Sequence, residues 1–110
     1  MRESTLRLLF HISALALVIL VLIHQVNVIV GNYDVNISYS HVIALLREPA
    51  YSISLILLLG FALLHSGLGV RRALIDSGMS NLAIRVILVI IGGVFVFIFI
   101  LGLSTILTIW

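Results

Sequence analysis

The sequence predicts an all-α integral membrane protein with three transmembrane helices, and two observations predict it. Of the 110 residues, 63% are hydrophobic, and only six Arg and four Asp or Glu carry a formal charge. A soluble domain carries about 25% charged residues, so so much apolar surface calls for lipid as its solvent. The few charges are also segregated, leaving charge-free runs at 8–30, 51–70 and 86–110. A run of about 20 residues crosses a hydrocarbon core of about 30 Å at about 1.5 Å per residue. Inside that core backbone groups must bond within their own segment, which makes each run a helix.

Each element follows in order. The first run, 8–30, is preceded by Arg2 and Arg7. It exceeds the roughly 7–15 residues of a signal-peptide core and has no small-residue cleavage site after it, so it reads as a span. In the connection 31–50, Gly31, Asn32 and Asp34 mark a turn. Ser40 to Leu46 suits a short interfacial helix before Pro49, and Asn36-Ile37-Ser38 fits the glycosylation triplet. The second run, 51–70, lies between Arg47-Glu48-Pro49 and Arg71-Arg72, and the third, 86–110, follows Arg85. Arginine is therefore concentrated before the first span and between the second and third, with only Arg47 on the other side. This bias predicts a cytoplasmic N-terminus, and it places the C-terminal Trp110 at the outer interface. Residues 1–110 contain no internal repeat and read as a single membrane domain.

The composition excludes some chemistry. There is no cysteine, hence no disulfide, thiolate metal site or iron–sulfur ligation in this chain. A net charge of +2 from so few groups gives no basic surface for nucleic acid.

The histidines carry the functional signal, because an ionisable group inside a span is costly and marks a site by default. Measured from Arg71, His65 lies about 9 Å inside the membrane; measured from Arg7, His24 lies about 25 Å in and His11 about 6 Å in. His41 is in the outer connection and reads as structural. His65 and His24 are too far apart in depth to share one iron, which makes them candidate axial ligands of two haems. A six-coordinate haem takes two axial ligands, so a partner chain supplies the second ligand of each. Gly69 and Arg72, at i+4 and i+7, share the helical face of His65. Gly69 leaves room for a flat macrocycle or a close helix. Arg72, with Arg71, suits a haem propionate at the water boundary, although Arg71 also serves topology. Asp76 suits orienting an arginine or a water at a quinone site. Gln25 and Asn27 suit satisfying the His24 imidazole. His11 and Ser13 lie near the depth of His65, within reach of a quinone or a propionate. In the third span, Phe95, Phe97 and Phe99 spread around the helix, and Gly92-Gly93 and Gly102 permit close contacts.

The stretch from His65 to Asp76 resembles the second-helix motif of succinate dehydrogenase and fumarate reductase membrane anchors, H-x3-G-x-R-x4-D, at His65, Gly69, Arg71 and Asp76. The segment Tyr39 to Leu59, with Arg47-Glu48-Pro49, looks like the stretch preceding that helix in archaeal and related bacterial anchors. Phe10-His11-Ile12-Ser13-Ala14 looks like their first-helix H-R-x-S-G. Together these cover most of residues 7–78. The resemblance implies a small cytochrome b anchor in a prokaryotic plasma membrane, forming half of a multi-helix haem-binding bundle. It implies haem b, one or two, shared with a second membrane anchor subunit. It also implies an iron–sulfur subunit and a flavoprotein subunit on the cytoplasmic side, and quinone as electron acceptor. The second-helix match assigns a haem b ligand to His65, and the two-haem members place a first-helix ligand where His24 stands. The chain departs from the pattern at Ile12, where the motif has Arg, and at Ser77, where many anchors have Tyr. Quinone contacts carried by those two side chains are thus missing here.

Other readings are a one-haem anchor, a haem-free structural anchor, and a small proton channel lined by His24 and His65. A pore needs a polar stripe, and the second span has nothing polar between Ser54 and His65.

Overall fold

The structure, a computed structural model, describes residues 2–110. It is helical throughout: α1 Glu3–Ile29, α2 Tyr33–Asn36, α3 Tyr39–Leu46, α4 Pro49–Asp76 and α5 Asn81–Ile109. Among the described residues there is no strand. The three long helices have 27, 28 and 29 residues, each long and apolar enough to cross a membrane. The expected spans 8–30, 51–70 and 86–110 are therefore the apolar centres of longer helices, which continue through Arg7, Arg71, Arg72 and Arg85. A charged side chain does not end a helix; turns and caps do. Pro49 opens α4 in its first turn, where its missing N–H costs nothing. Ser80 caps α5 by accepting the Ala83 N–H at 3.2 Å. Gly31 and Gly78 follow α1 and α4 with φ of 90° and 79°, a left-handed backbone that favours glycine.

The connection between α1 and α4 is built as the turn residues suggest. Asn32 caps the short α2 through the Asp34 and Val35 N–H groups. Asn36 Nδ2 donates to the Val28 and Val30 carbonyls at 3.0 and 2.7 Å, satisfying the end of α1. The amide of the glycosylation triplet thus has a structural use. The expected interfacial helix is α3.

The layout is an open layer. The central helix α4 packs against α1 on one side and α5 on the other, and α1 and α5 make no contact among the described residues. Phe95 and Phe99 face α4, lying beside Gly67 and Gly60, whereas Phe97 points away at 60% exposure. Among the described residues, a Cβ at Gly92 or Gly93 would meet nothing within 4 Å, so neither glycine is needed for a close contact within the chain. At the end opposite Arg71 and Arg72, Trp110 Nε1 donates to the Leu46 carbonyl at 2.9 Å and lies 3.3 Å from Ser52 Oγ. Ser52 Oγ also donates to Leu46 O. This knot ties α3, α4 and α5 together where an aromatic belt is expected. Only Ser13, Leu46, Ser52 and Ile106 are buried among the described residues. An exterior this apolar is stable against lipid or against another chain, not against water.

Candidate functional site

The site stands where α1 and α4 run antiparallel at the arginine-bearing end. On α4, His65, Gly69, Arg72 and Asp76 succeed one another along a face. On α1, Phe10 and Ser13 meet His65 and Gly69, and Glu3 meets Arg71. Ser13 is the most enclosed side chain, at 0% exposure. Its hydroxyl donates to the Phe10 carbonyl at 2.8 Å, and its oxygen lies 3.0 Å from His65 Nδ1. His65 Nδ1 is also 3.2 Å from the Phe10 carbonyl. The Phe10 ring stacks on the imidazole, with centroids 4.2 Å apart and planes 14° apart. Gly69 admits that ring, since a Cβ there would already touch it at 3.6 Å.

Proton counting favours one tautomer of His65. A carbonyl only accepts, so Phe10 O is best placed where its polar neighbours donate to it. With the proton on Nδ1, His65 donates to Ser13 Oγ and Phe10 O, and Ser13 donates onward to Phe10 O. With the proton on Nε2, the single serine hydrogen would be shared between two acceptors, His65 Nδ1 and Phe10 O, and Nδ1 would face the carbonyl lone pair to lone pair. Leaving a buried polar group so unsatisfied costs about 1–3 kcal/mol. These contacts favour the proton on Nδ1 and the lone pair on Nε2. Nε2 has no hydrogen-bond partner among the described residues and is not enclosed. Metal-bound histidines show this arrangement: one ring N–H goes to a carbonyl or another acceptor, and the opposite nitrogen is free for the metal.

Above the Phe10 ring lies a cleft of about 350 Å³, lined by Glu3, Leu6, Arg7, Phe10, His11, Leu68, Arg71 and Arg72. Arg71 makes a two-pronged pair with Glu3. Arg72 Nε lies 3.4 Å from the Asp76 carboxylate, one helical turn on, with both side chains largely exposed. Each arginine expected to meet a propionate thus already has a carboxylate within the chain. Asp76 orients an arginine, one of the two uses foreseen for it. His11 is exposed beside the cleft, edge-on to Phe10 at 6.0 Å.

Two expectations need correction. Ser13 presents no surface to a quinone: it is fully enclosed, and its hydroxyl is used by Phe10 and His65. Gln25 and Asn27 do not satisfy His24. Asn27 Nδ2 instead donates to the Ile23 carbonyl of its own helix at 2.9 Å, and Gln25 is exposed. His24 is half-buried, and its Nδ1 is enclosed with no partner. It stands eleven residues beyond Ser13, about 17 Å along α1, so the two histidines are on separate levels. No group of three or more His, Cys, Asp or Glu that could hold a metal ion occurs among the described residues.

Sequence reasoning passed over Phe10 and Glu3. Phe10 carries no ionisable group and so escaped a search by depth and charge; its position three residues before a serine was the available signal, because a serine hydroxyl in a helix reaches back to such a carbonyl. The chain matches no described protein family, no curated protein and no solved structure.

Proposed function

We propose that this chain is a haem b-binding membrane anchor subunit of a succinate:quinone oxidoreductase, passing electrons between an iron–sulfur subunit and membrane quinone. The observation that carries the reading is His65: an imidazole inside a membrane-spanning helix, held at Nδ1 by a second helix, with Nε2 bare. That donor suits a haem iron, and one such histidine per chain suits a haem shared with a second anchor subunit. When bound, haem b supplies a one-electron carrier whose potential follows its axial ligands and their hydrogen bonds.

The chain's own residues have distinct tasks in this reading. His65 offers the Nε2 lone pair, and α1 keeps water away from Nδ1. Arg71 and Arg72 stand at the membrane boundary, where a haem propionate can exchange with Glu3 or Asp76 as their carboxylate partner. His11 and Asp76 are the candidates for contact with quinone near the cleft. The arginine bias supports a cytoplasmic N-terminus. The iron–sulfur and flavoprotein subunits then dock on that side of a prokaryotic plasma membrane. His24 is the candidate ligand of a second haem near the opposite face. Its Nδ1 has no acceptor in this chain, so ligation through Nε2 requires the partner anchor to supply one. That missing acceptor is also the observation that favours a second reading, a one-haem anchor in which His24 only packs.

The test is haem stoichiometry. The intact complex, purified from membranes, is assayed for b-type haem by the pyridine haemochrome spectrum, alongside His24→Ala and His65→Ala. Two haems, each lost with a different substitution, are expected. One haem, lost only with His65→Ala, selects the one-haem anchor. No haem in the wild-type complex overturns the reading.

A further inference from the structure

We propose that Ser13 is a positioning residue: with the Phe10 carbonyl, it holds His65 as the Nδ1–H tautomer and so presents a bare Nε2 before any iron arrives. The tautomer follows from the chain alone; its use toward iron rests on the haem reading above.

Three features set Ser13 apart from a serine that merely fills space. It has no solvent exposure, so water cannot replace it as the acceptor of the imidazole proton. Its own proton goes to Phe10 O at 2.8 Å, which leaves its lone pairs turned toward His65 Nδ1 at 3.0 Å. The hydrogen bonds therefore run in one direction, from Nδ1–H to Oγ and from Oγ–H to the carbonyl. Bonds in such a chain polarise one another, and drawing on the Nδ1 proton makes Nε2 a stronger donor to a metal. The second acceptor, Phe10 O at 3.2 Å, is backbone. The parallel Phe10 ring fixes the imidazole plane. Of the groups that settle the His65 tautomer, only the Ser13 hydroxyl can be removed by a side-chain substitution. His24 makes the contrast within the same chain, since its Nδ1 is enclosed but meets no acceptor.

The experiment uses the full chain, haem-free, with 15N-labelled histidine in lipid nanodiscs, at a pH above the ordinary imidazole range. The His65 resonances are assigned by their loss in His65→Asn. Nitrogen chemical shifts distinguish a protonated from a bare ring nitrogen. Wild type is expected to show His65 with Nδ1 protonated and Nε2 bare. Ser13→Ala is expected to mix the tautomers or shift the Nδ1–H resonance, and Ser13→Thr, which keeps the hydroxyl, to restore it. A wild-type His65 protonated on Nε2 overturns the proposal without any variant having to fold. So does a Ser13→Ala spectrum identical to wild type at His65.

A second arm adds iron protoporphyrin to the same samples, assembled with the partner anchor. Binding to wild type is expected to weaken about 10- to 100-fold in Ser13→Ala, in line with other losses of an outer-shell partner. The midpoint potential is expected to rise, because a less electron-rich imidazole stabilises ferric iron less. The assigned tautomer without haem binding sinks the haem reading and leaves Ser13's role intact. Haem binding with the opposite tautomer, or with affinity and potential unaffected by Ser13→Ala, sinks the role of Ser13 and leaves the haem reading intact.

Discussion

At His65 two residues of α1, Ser13 and Phe10, act on one imidazole, and Gly69 makes room for the Phe10 ring. Gly69 sets how closely the Phe10 ring lies to α4. A Cβ at 3.6 Å from that ring is ordinary contact, so Gly69→Ala is expected to change stability by less than about 1 kcal/mol, whereas Gly69→Leu overpacks the pair at a cost of about 1–3 kcal/mol. Unfolding in mixed micelles measures both, and a neutral Gly69→Leu would mean that Phe10 is not held between the helices. Arg71→Gln is expected to be mild by comparison. The Glu3–Arg71 pair is partly exposed, and solvent screens such pairs. The shared face of His65, Gly69, Arg72 and Asp76 was legible in the sequence because it lies on one helix, where 3.6 residues per turn brings distant numbers together. The meeting of Ser13 with His65 was not, because 52 residues separate them and no local rule sets their approach. Ser13 was visible as a polar residue at the right depth, but depth does not reveal which neighbour uses its hydroxyl.

Among the elements, the ends are decided by short polar side chains. Asn36→Ala removes both hydrogen bonds to the last carbonyls of α1, each worth about 0.5–1.5 kcal/mol. Faster amide hydrogen exchange through α2 and the last turn of α1 is expected, with the middle of α1 unchanged. Equal protection in the variant would show that these carbonyls have another partner. At the opposite edge of the same surface, Trp110→Phe keeps the ring but loses the donor to Leu46 O, and faster exchange in α3 is expected. The turn at Gly31 and the interfacial helix before Pro49 were legible, since glycine, asparagine and proline act through their own backbone or their nearest neighbours. The extension of the three long helices past their arginines was not legible from hydropathy, which marks the lipid-facing length and is blind to a helix continuing into the interface.

For the whole molecule, the open layer leaves α1 and α5 apart with α4 between them, and many of its large apolar side chains are exposed. Its orientation in the membrane is a prediction at this scale. Reporter fusions are expected to place the N-terminus and the α4–α5 turn in the cytoplasm and Trp110 outside. Neutralising Arg71, Arg72 and Arg85 together is expected to produce a mixed population; a uniformly reversed wild type would remove the cytoplasmic docking face on which the proposed function depends. The sequence alone determined that the solvent is lipid, that three helices cross it, and that His65 and His24 lie at different depths. These properties are sums over individual residues along a helix, and composition and rise per residue suffice for them. Only the tertiary structure decided that Ser13 and the Phe10 carbonyl meet His65 Nδ1, and that His24 Nδ1 lacks a partner. A hydrogen bond depends on a distance of about 3 Å between groups on different helices, and the packing of α1 on α4 sets that distance.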